Sequence, residues 1–241
     1  MNKGGPSIEL TILHTSDNHM DQLSTCDALG VVVNKANELK VDLVLFAGDF
    51  FDNSRVDNDV IIETIRQLSR FKMPVVLVPG NHDQLDSVSV YHNKAFQNLP
   101  SNLHIIRKEE GESLLFPGIG VKVWGKPTYD HHIGFRPLET TPRRNGPWWH
   151  IGVAHGFYVP EGEENFERSS PIYAKEIEDT GYDYIALGHS DLFEELTHGN
   201  VKAAYSGAPI ESTDGKILGS VAIVHFHPDD GIDIKKISLV K

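Results

Sequence analysis

Aspartate, asparagine and histidine recur along this chain in one setting, directly behind a short apolar run. Asp17-Asn18-His19 follows ELTILHTS, and Gly48-Asp49-Phe50-Phe51-Asp52 follows VDLVLFA. Gly80-Asn81-His82-Asp83 follows PVVLVP, His155-Gly156 follows HIGVA, and Gly188-His189-Ser190-Asp191 follows YDYIAL. Carboxylate, carboxamide and neutral imidazole are ligands for hard to intermediate divalent cations such as Mn²⁺, Fe²⁺ or Zn²⁺. Glycine before Asp49, Asn81 and His189 lets the chain turn sharply and approach an ion closely. Taken singly, each segment also reads as a turn, a helix cap or a hydrogen-bonded structural histidine. The repetition of one setting in five places turns the reading towards a metal centre.

Ligands as far apart as Asp17 and Asp191 meet only if the fold brings them together. In the first half, Glu9–Thr15, Val41–Ala47 and Pro74–Val78 read as short apolar strands. Thr25–Lys40 carries Leu29, Val32, Val33, Ala36 and Leu39 near helical spacing, and Asp57–Phe71 sets Val60, Ile61, Ile65 and Leu68 on one face. Val88–Phe96 reads as a third helix. Alternating strands and helices predict βαβ units with parallel pairing. In the second half, Ser113–Phe116, Val121–Trp124, His150–Ala154, Tyr184–Leu187, Val201–Tyr205, Val221–Phe226 and Ile232–Leu239 read as strands, with one helix near Ile172–Asp179. This half is expected to add more antiparallel pairing. Residues Tyr129–Trp148 have no clear period and read as a long loop beside the site, a kind of segment that is often functional. The pattern predicts an α/β fold in one domain over residues 1–241: a four-layer αββα sandwich of two mixed sheets with flanking helices. The carboxyl ends of its parallel strands would bring the five segments to one edge, where α/β sheets bind ligands.

Bulk composition narrows the function classes. The net charge of −12 argues against a broad basic surface for nucleic acid, though not against a local patch. No apolar stretch reaches the ~18 residues of a membrane span. The polar start, Met1–Ser7, lacks the apolar core of a signal peptide. The lone Cys26 rules out a disulfide within the chain and fits a reducing cytoplasm.

The ordered set Asp17-x-His19, Gly48-Asp49-x-x-Asp52, Gly80-Asn81-His82-Asp83, His155 and Gly188-His189 resembles the calcineurin-like metallophosphoesterase superfamily. Local wording (ILHTSDNH, AGDFFD, PGNHD, and YIALGHS followed by YSGAP) is nearest to its SbcD-type DNA-repair exonucleases. Such nucleases carry further C-terminal segments and an SbcC-like ATPase partner. This chain ends at Lys241, so the resemblance covers the catalytic domain only, and the partner cannot be inferred from it. The resemblance implies a phosphoesterase with two divalent ions, Mn²⁺ first, with Fe²⁺, Zn²⁺ or Mg²⁺ as alternatives. Asp49 would bridge the ions, Asp17 and His19 would serve site one, and Asn81, His155 and His189 site two. A bridging hydroxide would attack phosphorus in line. His82 would be the general acid with Asp83 orienting its ring, and Asp52 would fix a ligand histidine.

The sequence departs from the family at residue 191, where a second histidine is usual and Asp191 stands instead. Direct ligation by Asp191, replacement by another group, and a weakened site one are the three readings, the first preferred. Ligation would favour Mn²⁺ or Mg²⁺ at site one and a more alkaline pH optimum than Asp191→His. His14, His92, His104, His225 and His227 are set aside as structural, and His131 and His132 as solvated loop residues. Arg136, Arg143 and Arg144 with Trp148 and Trp149 form the one basic–aromatic cluster, so Arg143 and Arg144 are candidate substrate-binding residues. The leading expectation is a phosphodiesterase acting on nucleic acid or nucleotides. The alternatives are a phosphomonoesterase or small-molecule phosphodiesterase and, in another class, a catalytically impaired binding module.

Overall fold

The computed structural model describes residues 6–163, 168–210 and 219–239, so the polar start lies outside the described residues through residue 5. The first half runs β1 (Leu10–Thr15), α1 (Leu23–Leu39), β2 (Leu43–Ala47), α2 (Asn58–Leu68), β3 (Val75–Val78) and β4 (Leu103–Ile105). There follow β5 (Glu112–Phe116), β6 (Val121–Gly125), β7 (Trp149–His155), β8 (Phe157–Val159), β9 (Pro171–Tyr173), α3 (Ala174–Thr180) and β10 (Tyr184–Gly188). The described chain closes with β11 (Phe193–His198), β12 (Val201–Ser206), β13 (Ser220–His227) and β14 (Gly231–Ser238).

The strands form two six-stranded mixed sheets, ordered β14-β13-β1-β2-β3-β4 and β11-β12-β10-β7-β6-β5, with β8 and β9 as a separate parallel pair. In the first sheet β1 to β4 are parallel and the chain returns antiparallel through β13 and β14. As expected, every antiparallel pairing among the described strands involves the second half, although the second sheet itself is mostly parallel. Its four central strands, β12, β10, β7 and β6, are parallel, and only the edges β11 and β5 run the other way. The reason lies in the crossovers: β7 to β10 passes through α3, and β6 to β7 through the long loop, so neither is a hairpin.

Alternation along each strand sorts residues into layers. Ile12, Leu43, Leu45, Val76 and Val78 meet Val123, Ile151, Val153, Tyr184 and Ala186 between the sheets. Leu13, Val44, Phe46, Val75 and Leu77 point the other way, under Leu29, Val32 and Val33 of α1 and Ile61 and Leu68 of α2. On the far side Ile185, Leu187 and Ala203 lie under Ile177 of α3. The result is the expected αββα sandwich, with a thin outer layer on the second sheet.

The predicted third helix is absent. Val88–Phe96 forms two single 3-10 turns, Val90–His92 and Lys94–Gln97. Ser89 Oγ accepts from Tyr91 N–H, and Asn93 Oδ1 accepts from Ala95 N–H at 3.0 Å. These side chains cap a new turn each time and so stop one α-helix from running through. The segment between Gly125 and Trp149 carries no helix or strand, as the missing period implied.

Candidate metal centre

Each candidate ligand follows the carboxyl end of a parallel strand: Asp17 and His19 after β1, Asp49 after β2, Asn81 after β3, His155 at the end of β7, His189 after β10. The register holds these ends level, with Thr15 opposite Phe46, Ala47 opposite Val78, and Gly188 opposite His155. The first two loops are zipped together by Asp17 N–H to Gly48 O, His19 N–H to Asp49 O, and Met20 N–H to Phe50 O. This close pairing forces unusual backbone. Asp17, His19, Asp49 and His189 take φ of 53°, 45°, 49° and 105°, where L-residues are rarely found. Strain of this kind collects at functional sites, because only a surrounding structure that over-determines it can hold it. Gly80 shows why no side chain fits there: an added Cβ would lie 2.3 Å from Asp49 Oδ1.

Asp49 is the hub. It is 2% exposed, and its Oδ1 accepts the His82 backbone N–H at 2.8 Å. Its Oδ2 lies 3.2 Å from His155 Nε2. Asn81 Oδ1 sits 2.9 Å from the same Nε2 and 3.1 Å from His189 Nδ1. His155 Nδ1 donates to the Ala47 carbonyl at 2.9 Å, which fixes its other nitrogen towards the carboxylate. Asp17 Oδ2 accepts the His189 backbone N–H at 2.9 Å. Ligand atoms of Asp49, His155 and His189 lie within 4.8 Å of one another, and those of Asp17, His19 and Asp49 form a second such group.

This arrangement calls for positive charge. His155 is 1% exposed and has oxygen acceptors at both ring nitrogens, so without another cation the ring must carry both protons. Its pKa is accordingly raised to about 9: burial opposes the charge, but the carboxylates of Asp49 and Asp17 outweigh it. Asp49 is held well below the usual carboxylate range, its own burial being overcome by His155 and the His82 N–H. Asp17 moves up, because of burial and because Asp49 is a second negative charge nearby. Burial, and then the charge on His155, push His189 down to about 4, so it offers a neutral lone pair. Two buried carboxylates, one neutral imidazole and a carboxamide oxygen around an imidazole that must otherwise be a cation fit a divalent ion.

A third group, His19, His82 and Asp52, lies on the open side of the centre. His19 Nδ1 is 3.2 Å from Asp52 Oδ1, and the rings of His19 and His82 meet edge to face at 4.8 Å. His82 is exposed, and its Nδ1 donates to the Asp52 carbonyl oxygen at 2.9 Å.

Three expectations need correction. Asp83 does not orient the His82 ring. It is buried, and its oxygens take N–H groups from Phe50, Phe51 and Gly80 and the Tyr91 hydroxyl at 2.5 Å, leaving no lone pair directed at the imidazole. Asp52 stands in that place instead. Asp191 is exposed and belongs to none of the three groups among the described residues; its carbonyl accepts from Ala208 N–H as the chain turns away into β11. Arg143 and Arg144 lie at the opposite edge of the second sheet, before β7 begins, where Arg144 pairs with Asp183 at 2.7 Å and with the Gly181 carbonyl. The long loop does reach the centre, but with its first residues: His131 bonds Ser169 Oγ and feels the charges of His155, Asp49 and His82.

The set-aside histidines have structural partners. His14, between the sheets, meets Tyr184 Oη at 2.9 Å, His92 meets the Asp86 carbonyl, and His225 meets Thr11 Oγ1. Sequence reasoning missed Tyr91, Phe157 and Arg168. Phe157 lies two residues past His155, packs its ring against His189 at 5.7 Å, and carries the Arg168 guanidinium at 4.5 Å. The i, i+2 step from a ligand at a strand end was the signal that could have found it.

Comparison with known proteins gives the same reading. The chain is 26% identical over 214 residues to the DNA double-strand break repair protein Mre11 of Methanosarcina mazei, covering 83% of this chain and 33% of that one. It is 24% identical over 266 residues to a subunit of the nuclease SbcCD of Bacillus subtilis, covering 92% and 67%. The chain thus spans a third to two thirds of the length of these two relatives. Its fold is similar to that of a dimetal phosphatase from Danio rerio, with a TM-score of 0.62 at 11% identity over 98% of both chains. Residues 10–191, the stretch that holds every group around Asp49, match the profile described as Calcineurin-like phosphoesterase, and the chain belongs to that family of metal-dependent phosphoester hydrolases.

Proposed function

We propose that this chain is a two-metal phosphodiesterase acting on nucleic acid or nucleotides. The observation that carries the proposal is the double membership of Asp49, which groups with His155 and His189 on one side and with Asp17 and His19 on the other. A carboxylate shared by two ligand sets is what a bridged pair of ions requires. Asn81 would join the first set. The mixed oxygen and nitrogen donors suit Mn²⁺ or Fe²⁺. When bound, such ions would withdraw charge from the phosphoryl oxygens and acidify water.

The remaining steps fall to the chain. Ala47 and Asp17 hold His155 and the His189 backbone, so two ligands are fixed before anything binds. His82 stands at the open side with Nδ1–H committed to the Asp52 carbonyl, so that the doubly protonated ring would give its Nε2 proton to the departing ester oxygen and be left neutral with Nδ1–H still held. The relatives' names, a double-strand break repair protein and a nuclease subunit, support the diester and nucleic-acid part of the reading. A partner ATPase is an extension of it, read out by co-purification. The net charge of −12 favours a second reading, in which the substrate is a short nucleotide or a phosphomonoester and not a long duplex.

The test is hydrolysis of bis-p-nitrophenyl phosphate beside p-nitrophenyl phosphate, using metal-stripped protein with Mn²⁺ added back. Mn²⁺-dependent cleavage of the diester above the monoester supports the proposal. Faster monoester cleavage moves the answer to a phosphatase, and no turnover of either with two ions bound points to the binding module.

A further inference from the structure

We propose that Arg168 binds a second, uncleaved phosphate of the substrate, so that the centre prefers a nucleotide carrying two phosphates over one carrying a single phosphoester. The inference deepens the phosphoester reading of the centre and rests on it.

Three observations carry it. The first is position. Phe157 continues past His155 and meets the candidate ligand His189 edge to face at 5.7 Å between ring centres, and the Arg168 guanidinium lies over the Phe157 ring at 4.5 Å. One aromatic ring therefore lies between the cation and the candidate ligand His189.

The second is that this cation is unspent. Arg66, Arg136 and Arg144 each hold a carboxylate, on Glu63, Glu176 and Asp183. Among the described residues Arg168 holds none, in a chain with 34 acidic and 22 basic residues. A guanidinium that is exposed, stacked and without a carboxylate among the described residues keeps its fork of donors for an oxyanion.

The third is preorganisation. The two residues after Arg168 are tied down, Ser169 by His131 and Ser170 N–H by the His132 carbonyl. Phe157 N–H donates to the Ser170 carbonyl, which locks the platform to the segment that carries the arginine. A donor stacked on a ring and carried beside an anchored segment loses less freedom on binding than a free surface arginine would.

The ligands for the test are two thymidine analogues whose ester oxygens are replaced by methylene, a 5′-phosphonate and a 3′,5′-bisphosphonate, so neither can be cleaved. Calorimetric titration is run with Mn²⁺ on the wild type and on Arg168→Ala, Arg168→Lys and Arg143→Ala. The wild type should bind the bisphosphonate about tenfold tighter, as one charged hydrogen-bonded contact implies. That advantage should vanish in Arg168→Ala, survive in part in Arg168→Lys, and be unchanged in Arg143→Ala, while affinity for the 5′-phosphonate stays the same in all four. No preference in the wild type overturns the proposal. So does equal weakening of both ligands by Arg168→Ala, which would make the residue structural. A protein that binds in the expected way yet hydrolyses neither nitrophenyl ester keeps this inference and loses the catalytic one; hydrolysis of bis-p-nitrophenyl phosphate with no bisphosphonate preference does the reverse.

Discussion

The backbone N–H of His189 donates to Asp17 Oδ2 at 2.9 Å and joins the two sheets at the edge that holds the ligands. Asp17 is 4% exposed, and both burial and the charge of Asp49 work against its ionised form. Without a metal ion this carboxylate therefore destabilises the fold it helps to join. Asp17→Asn keeps an acceptor for His189 and removes the charge. In chelator at pH 8 the variant should melt above the wild type, and with saturating Mn²⁺ the order should reverse. Calorimetry in both conditions checks this, and a lower melting temperature for the metal-free variant would contradict it.

His82 separates leaving groups. p-Nitrophenolate departs without a proton, whereas a nucleoside hydroxyl needs one. His82→Gln should lose roughly 10²–10⁴-fold in kcat on a thymidine dinucleotide and much less on bis-p-nitrophenyl phosphate. Equal losses on both substrates would show that the ring positions substrate or metal instead of donating.

Asp83 and Asp52 should respond in opposite ways. Asp83→Asn replaces one acceptor oxygen by an NH₂ group, set either against the Gly80 N–H or against the Phe50 and Phe51 N–H groups and the Tyr91 hydroxyl, which should cost about 1–3 kcal/mol, measured by urea unfolding. Asp52 is half-exposed and faces the histidines, so Asp52→Asn should lower activity and leave the unfolding midpoint near the wild type. Unchanged stability in Asp83→Asn would refute the structural role given to it.

His14 makes the fold acid-sensitive. Burial pushes its pKa down to about 3 from 6.5, against a small opposing effect of the Leu187 carbonyl. Above pH 6.5 the ring is neutral in both folded and unfolded chains and contributes no pH dependence. Below it the unfolded chain takes up a proton that the folded one refuses, so stability falls with falling pH by up to about 1.4 kcal/mol per unit until the folded value is reached. His14→Gln should flatten the acid limb relative to wild type between pH 6.5 and 4.5 in chelator. Parallel curves for the two proteins would assign the sensitivity elsewhere.

The fold and the grouping of Asp17, Asp49, His155 and His189 were legible because their signals are local. A parallel strand buried on both faces reads as an unbroken apolar run, and VDLVLFA or PVVLV ending in Gly-Asp or Pro-Gly-Asn has few other readings. β11 was not legible because Phe193–His198 alternates charge and apolarity on an exposed edge, and β8 and β9 are three residues each. Side-chain direction was not legible either. Asp83 follows His82 in the chain, yet it turns inward to the Phe50 and Phe51 amides while Asp52, thirty positions earlier, meets the ring. Asp191 stands where a family ligand usually does, but the chain is already turning into an edge strand there. A motif fixes which residue occupies a position, and packing decides where it points.

Among the described residues the two sheets share no backbone ladder, and at this edge they meet through His155 with Ala47 and His189 with Asp17. The proposed ligand set therefore draws on chain segments made early and late in synthesis. A ribosome-bound chain that has released Asp17, Asp49 and Asn81 but not His189 holds only part of a centre. On the proposed reading, the centre is complete only once the second sheet has closed on the first.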